Sequence, residues 1–219
     1  MNQTTDVQND DAHVHTDQVE KLLLKKLHQC QKAMGEAVYD LVRFYSAVGR
    51  PEKASAYYEL LIQPTDNLDV CALQYLEKGQ LMEQQKKYEQ AVSFYARALP
   101  LEPQDSRVWY LINNNLGYSL NQCGEYERAE EYCRAAIRID PGRYNAYKNL
   151  ALALEGMGKL EEAIVGYVMA TERMPRDPRA LGHLEDLLEK HPYLLIEDPE
   201  LEEVVARCRE MVLEARDSG

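Results

Sequence analysis

Two histidines one residue apart, His13 and His15, are the tightest pair of potential metal ligands in the chain. Imidazole nitrogens bind zinc or copper, but a zinc site needs at least three protein ligands in fixed geometry. The polar, aspartate-rich stretch around the pair supplies no third ligand at such a spacing. The five cysteines, Cys30, Cys71, Cys123, Cys133 and Cys208, are an odd and scattered set with no CxxC pair. They fit neither zinc nor thioredoxin-type chemistry and read as thiols of a reducing compartment. His28, His183 and His191 lack a cysteine or carboxylate partner at ligand spacing. Gly156 and Gly158 are not followed by the Lys-Ser/Thr that a phosphate loop requires. The acidic pairs Glu130-Glu131, Glu161-Glu162 and Glu202-Glu203 have the pattern of solvated helix faces. No nucleophile–base spacing emerges, so the sequence assigns no enzyme activity, no metal and no cofactor.

The balance of charge narrows the partners. The 219 residues hold 25 Lys+Arg against 37 Asp+Glu, a formal charge of -12. Nucleic-acid binding draws its affinity from cations that displace counterions, and an acidic chain opposes it. The one dense basic run, Lys25-Lys26, is too short to reverse that, so nucleic acid is excluded as a partner. No apolar run approaches the roughly 20 residues of a membrane-spanning helix, and the N-terminus lacks a signal-peptide profile. The expectation is a cytoplasmic protein with no membrane partner.

The elements that must carry any function show themselves through repetition. Tyrosine occurs 15 times beside one Trp and 2 Phe, as if it filled a recurring slot. Pro141 and Pro175 are 34 residues apart, and Pro103 and Pro141 are 38 apart. Ala91, Ala129 and Ala163 repeat the same two intervals, and so do Ala98, Ala136 and Ala170. Three markers share one rhythm, the signature of a repeat array.

Placed in that rhythm, residues 144–177 present Tyr147, Leu150, Ala151, Leu154, Ala163, Tyr167, Ala170 and Pro175. Residues 110–143 present Leu116, Gly117, Leu120, Ala129, Ala136 and Pro141, with Asn113 and Cys133 where aromatics would stand. Residues 72–105 present Tyr75, Gly79, Met82, Ala91, Tyr95, Ala98 and Pro103, with Lys78 out of pattern. This resembles the tetratricopeptide repeat (TPR), a 34-residue helix–turn–helix unit. The resemblance implies an all-α, right-handed superhelical solenoid of antiparallel helix pairs with flanking capping helices. In such pairs small residues let backbones approach, and the tyrosines fill the space around them. Gly124 and Gly158 should turn the chain between the helices of a pair, and each proline should close the second helix.

The remaining segments are assigned from the same frame. The four extra residues before Tyr110 amount to one helical turn, so the first helix of 110–143 should begin near 106, capped by Asp105 or Ser106. Trp109 is expected to supply the aromatic contact that Asn113 cannot. Residues 35–68 read as a degenerate repeat with Leu41, Val42 and Tyr45, the turn at Gly49, then Ala54, Tyr58 and Leu61, with Asp66 in place of the closing proline and Pro64 two residues earlier. Residues 1–16 are expected to be a disordered acidic tail, and 17–34 an amphipathic helix carrying Val19, Leu22, Leu23, Leu27 and Cys30. Capping helices should fill 178–219, the first broken at His191-Pro192 and the last capped by Asp198 with Pro199 at its first position.

The resemblance also implies where a partner would sit, because the first helices of TPR pairs line a concave groove. The positions that tend to face it correspond here to Leu73, Leu76, Gln80 and Gln84, with Glu77 and Glu83 among them. The next repeat gives Leu111, Asn114, Asn115, Tyr118, Asn121 and Gln122, and the last gives Asn145, Lys148, Asn149 and Leu152, with Glu155 and Gly156. Chaperone-cofactor TPR domains clamp a C-terminal carboxylate with Lys, Arg and Asn; only Asn115 matches that pattern, so such a clamp is disfavoured. Amides can pair with both N–H and C=O of an extended peptide. The expected function is a non-catalytic adaptor or scaffold that binds a partner peptide or helix in this groove. The alternative is a self-associating or secretion-chaperone-like protein that forms a homodimer through its N-terminal helix.

Overall fold

In a computed structural model, which describes residues 6–58, 67–198 and 200–217, every regular element is helical. In chain order they are α1 (Asp6–Ala47), α2 (Pro51–Tyr58), α3 (Leu68–Gln84), α4 (Tyr88–Ala98), α5 (Ser106–Gln122) and α6 (Tyr126–Ile139). Then come α7 (Tyr144–Gly156), α8 (Leu160–Arg173), α9 (Arg179–Lys190), α10 (Tyr193–Glu197) and α11 (Glu200–Asp217). Two compact units divide at residues 63 and 64.

The first unit holds α1 and α2. A single helix from Asp6 replaces the disorder expected over residues 6–16 and erases the expected boundary at 34. No proline or glycine interrupts residues 6–34, acidic Asp6, Asp10 and Asp11 suit the positive helix end, and a lone mid-helix Gly35 costs only about 1 kcal/mol. Gly49 turns the chain with φ 69°. Val42 and Ala54 are buried between the two helices, and the Tyr45 and Tyr57 rings stack at 5.5 Å. Leu61, Pro64 and Asp66 of the degenerate repeat, and the side chains of His13 and His15, lie outside the described residues.

The second unit stacks antiparallel pairs α3–α4, α5–α6 and α7–α8, each packed on the next, with the first helices α3, α5 and α7 in a row. Close backbone approach is built in at specific residues. A Cβ placed on Gly79 would meet the Tyr95 ring at 2.3 Å, and one on Gly117 would meet Cys133 Sγ at 2.5 Å. Cys133 takes over Gly117 the place that Tyr95 takes over Gly79, and it is fully buried. The third pair exchanges the roles: Ala151 stands in the first helix, and Gly166 opposite it leaves room for that methyl at 2.9 Å. Tyr95, Tyr110 and Tyr167 are wholly buried, each removing surface worth about 2–3 kcal/mol.

The caps follow the sequence chemistry. Asp105 accepts from the amides of Arg107 and Val108, so the extra turn before Tyr110 is helical. Asn67 does the same for Asp69 and Val70, and α3 is as long as α5, an extension that the repeat frame starting at 72 omits. Trp109 is half-buried rather than a core anchor; the aromatic sealed in the core is its neighbour Tyr110, joined by Ala136 and Ala146. Asn113 turns its amide back onto Trp109 O at 2.9 Å. At the far end Asp198 accepts from Glu200 N at 3.1 Å, while Pro199 lies outside the described residues. Leu184, Leu187, Leu201, Val205 and Cys208 then bury the end of the array under α11.

Candidate partner-binding surface

A partner can only use groups that the fold does not consume, so the row of first helices is best read residue by residue. Leu76 is a correction: at 2% exposure this α3 residue belongs to the core and is closed to a partner. Three of the six amides expected to face the groove on α5 and α7 are likewise consumed. Asn149 Nδ2 donates to Asn114 Oδ1 at 3.2 Å, Asn114 Nδ2 donates to Asn115 Oδ1 at 3.0 Å, and Asn121 Nδ2 donates to Asn149 O at 2.7 Å. Asn114, Asn121 and Asn149 are buried and join α5 to α7, so these expected peptide ligands are structural. An amide interchange inside a helix interface is stable because each buried group gains a partner. Two carbonyls, Asn121 Oδ1 and Asn149 Oδ1, remain buried without one among the described residues.

The groups that remain are mixed in character. Leu73 is exposed, as are Gln84 and Gln122; Gln80, Leu111, Asn115, Tyr118, Asn145 and Leu152 are half-buried. Tyr118 stands edge-on to Tyr88 with centroids 6.1 Å apart, and burial pushes its phenol up to about 12. Beside it Ser119 Oγ donates to Glu83 Oε1 at 2.7 Å, tying α5 to α3. Burial outweighs that bond and raises the Glu83 carboxyl to about 7.

At the other end of the row lies a recess of about 390 Å³ lined by Asn121, Gln122, Tyr126, Leu152, Glu155, Gly156, His183 and Lys190. Gly156 is small there because the Tyr126 ring would meet a Cβ at 2.5 Å. Tyr167 donates to Glu155 Oε2 at 2.6 Å and stacks on His183 at 5.6 Å, which fixes both side chains. Lys148 is buried, and desolvation lowers its pKa. Desolvation, followed by the charge of Lys148, lowers His183 as well. Arg179 is already committed: Asp177 binds it through both carboxylate oxygens and also accepts from Tyr144 at 2.6 Å.

Sequence reasoning treated α9 only as a cap and missed His183 and Lys190. The signal was present, since adding 34 to the repeat starting at 144 gives 178, one residue before α9 begins. On that count Arg179, His183 and Lys190 occupy groove positions of a further first helix.

Among the described residues no helix is long and apolar enough to cross a membrane. Comparison with known proteins agrees with the architecture. Tetratricopeptide-repeat profiles match residues 75–105 and 111–143. The TPR repeat-containing protein MJ1428 of Methanocaldococcus jannaschii is 30% identical over 138 residues, 60% of this chain but 24% of that relative. The chain thus spans about a quarter of that relative's length. MamA from Desulfovibrio magneticus RS-1 superposes with a TM-score of 0.64 at 19% identity, over 84% of this chain and 96% of that one. The first TPR of Spaghetti (RPAP3), solved with an HSP90 peptide SRMEEVD, superposes at 0.51 with 24% identity, over 56% of this chain and 94% of that one. Paired helices, glycine and alanine contacts at the repeat period, and these matches together show that the chain carries tetratricopeptide repeats.

Proposed function

We propose that this chain is a non-catalytic adaptor that holds an extended segment of a partner protein along α3, α5, α7 and α9. The observation that carries the reading is the recess between α5, α7 and α9, where an apolar wall (Leu152, Tyr126) meets amides, the imidazole of His183 and the ammonium of Lys190, which Glu155 accompanies at 3.6 Å. Leu73, Leu111 and Tyr118 extend the surface with apolar contacts toward α3. A segment with apolar residues along α3–α5 and an acidic residue at the α7–α9 end would match it in shape and charge. Side chains held by their own hydrogen bonds, as Glu155 is, lose little entropy on binding. The peptide held by the RPAP3 repeat, SRMEEVD, has an acidic end of this kind.

Photo-crosslinking tests the assignment. A crosslinking residue placed at Tyr118 or Leu152 should capture a defined partner from the source lysate, and one at exposed Arg97 on α4 should not. Tyr118→Ala with Leu152→Ala should weaken that partner's binding about tenfold or more, as removal of two central contacts does. Capture from Arg97 alone, or unchanged affinity in the double variant, would place the binding surface elsewhere.

A further inference from the structure

Helix α1 carries a second apolar stripe that α2 does not cover. Leu23, Cys30, Met34, Leu41 and Phe44, with Val48 just past the helix end, follow heptad intervals of 7, 4, 7, 3 and 4 residues, and Leu27 and Ala37 stand at the two remaining places. All six are exposed, with Leu23, Met34, Leu41, Phe44 and Val48 between 38% and 59% accessible. The inner stripe is separate: Val42 is buried and Tyr45 stacks on Tyr57 of α2. An unbroken 4-3 spacing over more than three heptads is the seam of a helix that packs along another helix, and it spans about 38 Å here.

The repeat frame explains why this seam is bare. Ala37, Leu41 and Phe44 hold the places that Ile112, Leu116 and Ser119 hold in α5, and Ala146, Leu150 and Ala153 in α7. Those six are all buried. Ala146 shares a core cluster with Ala136, and Leu150 with Cys133, both on the preceding α6. The stripe on α1 is thus the face that an internal repeat gives to the repeat before it. Among the described residues of the first unit, only α2 packs on α1.

We propose that this seam is covered by α1 of a second copy of the chain, in an antiparallel two-helix coiled coil. Charge selects both the direction and the register. Exposed Lys26 and exposed Asp40 stand at the same flanking place, one residue before Leu27 and one before Leu41. A parallel pair sets that place beside the residue five further on, which is Gln31 for Lys26 and Tyr45 for Asp40, so neither charge gains a partner. The antiparallel register that pairs Leu23 with Leu41, Leu27 with Ala37 and Cys30 with Met34 brings Lys26 beside Asp40 of the second copy, twice per dimer. Sliding one heptad along would set Lys26 beside Ala47 and Asp40 beside Ala33, losing both pairs. In the chosen register Phe44 lies opposite position 20 of the second copy, Glu20, flanked by Val19 and Leu23, both exposed in the single chain. The stripe is then covered by a copy of itself instead of by water. This pairing does not depend on the groove assignment.

Sedimentation equilibrium of the full chain should give a dimer at tens of micromolar. Lys26→Asp should raise its dissociation constant about tenfold, since two favourable contacts of roughly 0.5–1 kcal/mol become repulsive, and added salt should shrink the difference. Combining Lys26→Asp with Asp40→Lys should restore the dimer to within about threefold. Met34→Cys should allow mild oxidation to link it to Cys30 of the other copy, giving a covalent dimer. In the unaltered chain the two Cys30 residues lie four positions out of step, too far apart to bridge, whereas a parallel pair would set them side by side and link them. A monomeric wild type, a double variant as weak as Lys26→Asp alone, or Cys30–Cys30 linkage overturns the proposal. These variants change exposed side chains only, so folding is checked separately by circular dichroism.

Discussion

At the scale of single residues, the fold is sensitive wherever a hydrogen atom stands in for a side chain. Gly79→Ala must displace the Tyr95 ring, and should cost about 1–3 kcal/mol in denaturant unfolding, as overpacking does. Gly182, on α9, has nothing within 4 Å of an added Cβ, so Gly182→Ala should be neutral or stabilise by up to about 1 kcal/mol through helix propensity. Glu83 gives a pH signature. Its folded-state pKa, about 7, lies above the ordinary value of 4.5, so the protonated form favours the folded state. That contribution is complete below about 4.5 and is lost as pH rises through 7, on the order of 2–3 kcal/mol at most. Glu83→Gln should keep the Ser119 hydrogen bond and flatten the stability profile between pH 5 and 8, measured by urea midpoints. An equally steep profile in the variant would assign the titration to another group.

At the scale of elements, the turns inside the helix pairs repeat one backbone requirement with one exception. Gly49, Gly124 and Gly158 adopt positive φ of 69°, 77° and 75°, and the equivalent place between α3 and α4 is Lys86 at 58°. A lysine there costs roughly 1 kcal/mol that glycine avoids, so Lys86→Gly should raise the unfolding free energy by about that amount. Asp105→Ala should cost about 1 kcal/mol by releasing the amides of Arg107 and Val108, seen as faster hydrogen exchange confined to the first turn of α5. Much of this level was legible in the sequence, because glycine, proline and cap residues act through local backbone geometry. Residues 6–16 were misjudged since acidic composition alone does not prevent a helix when no breaker is present. The site was less legible. Asn114, Asn121 and Asn149 sit at groove positions by count, but whether an amide serves a partner or a neighbouring helix depends on distances between elements. Leu76 and Trp109 missed for the same reason: burial is decided by the facing helix, not by the residue's own repeat.

At the scale of the whole molecule, the main contacts of each repeat among the described residues after 67 are with its neighbours, so damage should stay local before it spreads. Cys208→Asp would place a charge among Leu184, Leu187 and Leu201, and should free α9 and α11 to exchange amide hydrogens faster while α3 and α4 keep their protection. Uniform loss of protection across all helices would instead indicate one cooperative block. The sulfur of Cys133, wedged over Gly117, has a use in this connection. It is wholly enclosed and its thiol is pushed up to about 12, so a water-borne thiol reagent cannot label it while the α5–α6 pair stays closed. Cys30 on α1, exposed in the single chain, reacts from the start at dilutions where two copies do not pair. The chain therefore carries its own clock: the delay between modification of Cys30 and of Cys133 times how often the middle of the array opens.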